Sequence, residues 1–201
     1  MKKILLVFLF SMMIAGTVMA SEQLSEVNTK FTYKDSPIHP FLIRQFLNWT
    51  SDYRSPILTT VDVSAAFDTN QYQITEIKKQ NDWLFSEKEE IDGDIRLYES
   101  FHYHWVGKMQ NGIHVLETGS SGGGSGFFMD LMFVRFSEDE ILWESKKESQ
   151  LLMSIVGIYS LGDRYDGDIK VYANKVLIPA SRGQFGGGAI DKEVELKFPI
   201  E

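Results

Sequence analysis

Residues 94–118 read DIRLYESFHYHWVGKMQNGIHVLET, and the alternation within them decides the fold class. Ile95, Leu97, Phe101, Tyr103 and Trp105 fall on one side of an extended chain, and Asp94, Arg96, Ser100, His102, His104 and Lys108 on the other. A period of two over this length predicts a long strand with one buried side, bent at a bulge. Asn111-Gly112 follows, and both residues tolerate the positive φ that a two-residue hairpin turn requires. Val115 to Thr118 then returns antiparallel. Residues 127–136, FFMDLMFVRF, are apolar on both faces and predict a central strand covered on each side.

The same reading extends outward. Ile57 to Ser64 and Tyr72 to Ile77 read as a hairpin across the turn Phe67-Asp68-Thr69-Asn70. Residues 86–92, SEKEEID, read as a charged connection, and Asp139 to Gln150 as a short helical turn. Leu151–Leu161, Ile169–Ala173, Val176–Ile178 and Val194–Phe198 complete a mainly β fold, an antiparallel β sandwich or barrel of roughly nine or ten strands. One N-terminal amphipathic helix is expected to pack on it. Pro37 and Pro40 suit its first turn, Leu42, Phe46, Trp49 and Tyr53 share a face, and Ser55-Pro56 ends it.

Two Lys, an apolar run from Ile4 to Ala15 and the small residues before Ala20 have the layout of a secretory signal peptide over residues 1–20. The run is shorter than the about 20 residues that cross a bilayer, and no later run approaches that length, so no integral membrane segment is expected. Residues 21–36 read as a polar leader arm, and residues 37–201 as a single mainly β domain. A periplasmic or secreted location after cleavage near Ala20 follows. An internal echo runs through the domain: residues 91–99 read IDGDIRLYE and residues 165–173 read YDGDIKVYA, each followed by a Gly-Gly-Gly loop and an Asp-started strand. Two related units over 91–136 and 165–198 would account for it, as would the frequency of Asp-Gly at strand starts.

Composition excludes several classes of function. Removing residues 1–20 takes Lys2 and Lys3 and no acid, which leaves 18 of the 20 basic residues against 28 acidic ones, a net charge near minus ten. Such a chain is repelled by nucleic acid and by anionic lipid, and is suited to a basic protein of the cell envelope as partner. With no cysteine, disulfides, zinc–thiolate sites, thiol nucleophiles and lipidation through an N-terminal cysteine are excluded. Packing alone must hold the fold.

Three groups of residues carry possible chemistry. His102-x-His104 projects two imidazoles from one strand face, as two sides of a metal site do. With Asn111-Gly112 as the turn, Met109 faces His114, Val106 faces Glu117 and His104 faces Gly119, which sets Glu117 diagonal to His104 on the same face. A divalent metal held by His102, His104 and Glu117 is therefore conceivable, although the same alternation explains the histidines as the polar side of the strand. The loop 119–126, GSSGGGSG, lacks the lysine and following helix of a phosphate cradle. A serine elbow at Gly119-Ser120-Ser121-Gly122-Gly123 lacks a downstream histidine. What remains is a ligand mouth lined by Gly122, Gly123 and Gly124 together with Gly186, Gly187 and Gly188 of the second glycine loop.

Carboxylates form the third group. Asp163, Asp166 and Asp168 have the composition of a calcium loop without its ligand spacing. Strict alternation buries Glu99, and Asp130 interrupts an apolar run, so each is a candidate acid with raised pKa unless paired with a base. No catalytic set is complete. The leading expectation is a periplasmic binding or inhibitor-type protein without a cofactor; the alternatives are a metal-dependent hydrolase of an envelope polymer and a carrier of an apolar small molecule.

Overall fold

The computed structural model describes residues 24–47, 58–72, 75–92, 95–122, 124–183 and 190–199, with the side chains of residues 90, 92–97 and 143 left aside. The signal segment, Trp49 and Tyr53 of the expected helix stripe, Gly123 and Gly186 to Gly188 lie outside the described residues.

The fold is mainly β, built on an antiparallel sheet of seven strands in the order β3-β9-β8-β7-β6-β5-β4. In chain order the elements are α1 (24–30), β1 (Thr32–Tyr33), β2 (Ser36–Pro37), α2 (Pro40–Arg44), β3 (Thr60–Asp62), α3 (Val63–Asp68), β4 (Lys78–Gln80), β5 (Trp83–Asp92), β6 (Ile95–Lys108), β7 (His114–Ser121), β8 (Phe128–Trp143), β9 (Lys146–Asp163), β10 (Lys170–Val171), β11 (Lys175–Ile178) and β12 (Val194–Lys197). Strands β4 to β9 meander, each paired with the next. Strands β10, β11 and β12 form a separate antiparallel sheet. Both copies of the sequence echo thus lead into three consecutive antiparallel strands, β6-β7-β8 and β10-β11-β12.

The alternation of β8 works as its sequence implies. Met132, Val134 and Phe136 join one buried cluster with Phe101, Tyr103, Leu116, Met153 and the helices, whereas Met129, Leu131 and Phe133 join another with Val176 and Ile178 of β11. Apolar burial on both faces explains the uncharged run Leu131–Val134 at the middle of this strand, whereas Glu138, Asp139 and Glu140 lie beyond it, toward the end of the hairpin. On the helix side, the Tyr103 hydroxyl donates to the buried carbonyl of Ile38 at 2.8 Å and ties the chain before α2 to the sheet.

Several local expectations change. Residues 86–92 belong to strand β5, opposite β6, with Glu87 facing Ser100 and Lys88 facing Glu99. Charge is tolerated there because cross-strand and neighbouring pairs absorb it: Lys78 meets Glu87 at 2.7 Å and Lys88 meets Glu99 at 2.9 Å. Residues 139–150 form the end of the β8–β9 hairpin, not a helical turn. Glu144 and Ser145 both take positive φ, 45° and 66°, as the hairpin turn with matching twist demands.

Within residues 58–72, the described stretch of the expected hairpin, a strand and a helix stand instead. Asp62 ends β3 and caps α3, its carboxylate accepting from the Ala65 N–H at 2.9 Å and the Ser64 hydroxyl at 2.6 Å. Gln150 of β9 donates to the other carboxylate oxygen at 2.5 Å. Once Asp62 caps a helix, Phe67 and Asp68 become its last turn instead of a β-turn. Among the described residues there are thus three short helices, of which α2 begins the expected one; residues 48–56 of that helix lie outside the described residues. Pro40 does open α2, and Leu42 and Phe46 are buried as the stripe required. Helix α1, within the segment read as a leader arm, is followed by buried Phe31 and Tyr33. No helix among the described residues is long and apolar enough to cross a membrane.

Candidate functional site

The β6–β7 register determines what the two histidines can reach. His104 lies directly opposite Glu117, and His102 opposite Gly119. The turn is one residue longer than Asn111-Gly112 alone: the Met109 N–H donates to the Ile113 carbonyl at 2.8 Å across Gln110, Asn111 and Gly112, with Gly112 at φ 82°. A second one-residue shift occurs as a bulge between Trp105 and Gly107. Two shifts restore the parity, so Glu117 keeps the face of the histidines while moving from the diagonal to the position opposite His104.

His104 Nδ1 and Glu117 Oε2 are 3.7 Å apart. His102 does not join them at a common point. Its ring stacks on Phe85 at 4.8 Å between centroids, 9° from parallel, and receives the Phe127 edge at 5.0 Å. Burial between those rings pushes its pKa down, with Glu87 opposing. No group of three His, Asp or Glu among the described residues is placed to hold a metal ion.

The first glycine loop is explained in part by the same aromatic packing. A Cβ on Gly119 would stand 2.3 Å from the Phe127 ring, so glycine is needed for Phe127 to reach His102. A Cβ on Gly122 or Gly124 would meet nothing within 4 Å, which is open loop rather than a close-fitting cradle. The acidic residues further on serve the turn. Asp163 accepts from the Phe127 N–H at 2.9 Å and from Arg164 at 2.7 Å, and Asp166 accepts from the Ser181 hydroxyl. Glu99 is held by Arg44 and Lys88, which accounts for its inward position. Asp130 has no such base; burial raises its pKa while a hydrogen bond from Ser160 opposes the rise.

A well-formed concavity lies elsewhere, on the helix side. A cleft of about 660 Å³ runs between β1–β2, the start of α2, α3 and the residues Asn70, Tyr72, Thr75 and Ile77. Its floor is apolar: Ile38, Leu42, Val63 and Ala66 are buried, and Ile77 closes one wall. Several polar side chains along it are already engaged. His39 caps α2 by accepting the Phe41 N–H on Nδ1 at 3.1 Å, which leaves Nε2–H to donate to the Thr75 carbonyl at 3.1 Å. Its ring stacks on Tyr72 at 4.8 Å, and burial lowers its pKa so that it stays neutral. Tyr72 in turn is bonded to Gln45.

At the mouth of the cleft Phe67 and Asp68 are exposed, beside the buried Tyr33, which also lines it. The Tyr33 and Phe67 rings meet edge to face, 5.3 Å between centroids and 83° between planes. Lys34 reaches across to Asp68 at 2.6 Å. Its position follows from Glu26 of α1, whose carboxylate accepts the Asp35 N–H at 2.7 Å, the Lys34 N–H at 3.2 Å and the Thr32 hydroxyl at 3.1 Å. Lys34 and Asp35 both have positive φ, 50° and 58°, so their N–H groups converge on that one carboxylate.

Such a cleft has the size and the apolar lining of a small-molecule site, with few polar groups free to demand a partner. Sequence reading did not find it. Its residues come from four short pieces between positions 33 and 77, and the only local signal is His39-Pro40, a helix cap with an aromatic pair nearby. No protein-family model matches the chain, and no curated protein or solved structure is significantly similar to it.

Proposed function

We propose that the protein is an exported binding protein, released from residues 1–20 near Ala20, which holds a small and largely apolar molecule in the cleft between β1–β2, α2 and α3. The observation that carries this reading is the cleft itself, about 660 Å³ with a floor of Ile38, Leu42, Val63 and Ala66. His39, Tyr72 and Thr75 in its walls are bonded within the chain, and an apolar molecule laid on the floor gains by leaving water. The rigid frame behind it is the seven-stranded sheet. That β10 to β12 share a core with Leu131 and Phe133 favours a sandwich over a closed barrel for this frame.

The acidic balance of the chain supports a second, compatible partner: a basic envelope protein meeting its surface. A metal-hydrolase reading draws no support, since aromatic rings engage His102 away from His104 and Glu117. Native mass spectrometry of protein purified from its exported compartment tests the binding proposal. The expected spectrum contains a discrete bound mass of a few hundred daltons that organic solvent releases. A spectrum of bare protein, from material exported and purified without detergent, counts against it.

A further inference from the structure

The mouth of the cleft has a chemistry its floor lacks. The Lys34 ammonium lies 5.2 Å from the Tyr33 ring centroid and 5.3 Å from that of Phe67, and 2.6 Å from the Asp68 carboxylate. Two aromatic rings near a right angle, the Tyr33 hydroxyl that accepts a hydrogen bond from Lys34, and a carboxylate on the third side form a box for an organic cation. Burial holds the Tyr33 pKa up, Lys34 opposes the rise, and the carboxylates of Asp68 and, least, Asp62 add to it. Tyr33, Phe67 and Asp68 all line the cleft, so the box opens onto the apolar floor.

We infer that this box is an ammonium-recognition site filled by the chain's own Lys34, and that the cleft's ligand is a small organic ammonium ion with an apolar body, whose charged head replaces that of Lys34 while its body covers Ile38, Leu42 and Val63. The inference rests on the cleft being a binding site and adds the class of ligand. Three features favour displacement. The lysine is 41% exposed and its partner Asp68 59%, so solvent screens the internal pair and it is cheaply broken. The lysine stem is long and flexible, free to swing outward without disturbing the turn that Glu26 holds through backbone N–H groups. A ligand that joins ammonium and apolar body contributes two terms, where Lys34 contributes one.

Calorimetric titration of the full chain with hexyltrimethylammonium and with its uncharged counterpart of similar shape, hexyl tert-butyl ether, tests this. Lys34→Met removes the competing ammonium and should tighten hexyltrimethylammonium binding about tenfold. Adding Asp68→Asn to that variant should weaken it at least fivefold, and the ether should respond to neither change by more than about twofold. Lys34→Gln serves as the second variant should Lys34→Met fold poorly, with thermal melts as the control. If the ether binds and the ammonium compound shows no preference among the variants, the cleft remains a binding site and the ammonium box is refuted. If neither compound binds any folded variant, both readings fall.

Discussion

Nε2 of His114 lies 3.1 Å from Oδ1 of Asn28, which fastens the start of β7 to helix α1. The histidine is fully buried among Phe31, Trp105 and Phe136, and its Nδ1 has no hydrogen-bond partner among the described residues. A protonated ring would need an acceptor at both nitrogens, so burial drives its pKa down to about 3, assisted by Lys108. The unfolded chain protonates this residue near pH 6.5, whereas the native state does not. Its stabilising contribution is therefore complete above about pH 6.5 and is lost progressively as pH falls toward 3, at roughly 1.4 kcal/mol per pH unit. Urea unfolding between pH 7 and pH 4.5 should show that decline, and His114→Leu should flatten it. His39 and His102 shift in the same direction, and Asp130 in the opposite one. An unchanged slope in His114→Leu would contradict the assignment.

Tyr103 makes a second long tie between helix side and sheet. Tyr103→Phe removes the donor to the Ile38 carbonyl and leaves that buried acceptor unpaired, at a cost of about 1–2 kcal/mol in chemical unfolding. Because Ile38 lines the cleft, ligand affinity should fall as well. Equal stability in the two proteins would mean that water or another donor reaches the carbonyl.

Gly119→Ala should destabilise the fold by about 1–3 kcal/mol, since the new Cβ overlaps the Phe127 ring and the loop must yield. Phe127→Leu in the same chain should recover part of the loss. Both changes uncover His102, so its reaction with diethyl pyrocarbonate at pH 7 should accelerate. Unaltered reactivity would show that the Phe127 edge does not shield the imidazole.

Much of the β framework was legible because period-two alternation survives wherever one face is buried. Phe101, Tyr103, Leu116, Met132 and Phe136 all point where the pattern puts them. The His104–Glu117 contact was legible only in its face and not in its register, since an added turn residue and a bulge at Val106 each moved the partner by one. Neither has a signature beyond glycine near the strand end. Strand β5 was hidden by its charges, which a projecting hairpin tolerates. The cleft left the weakest trace: the helices beside it exist through caps, His39 for α2 and Asp62 for α3, and a single capping side chain outweighs the strand-like composition around it.

Elemental analysis separates the cleft account from metal chemistry. Protein purified without chelator should carry no metal in stoichiometric amount, and its melting temperature should not respond to EDTA. A bound metal that disappears when His102→Ala and His104→Ala are combined would restore the site once suggested by their spacing.

The central claim is that an apolar ligand occupies the cleft between β1–β2, α2 and α3, and fluorescence titration with the uncharged dye N-phenyl-1-naphthylamine tests it most directly. Saturable one-to-one binding is predicted, abolished by Ser36→Trp, which places an indole in the cleft where a small half-buried side chain now lines it. Absence of saturable binding, or binding that Ser36→Trp leaves intact in a folded protein, would contradict the claim.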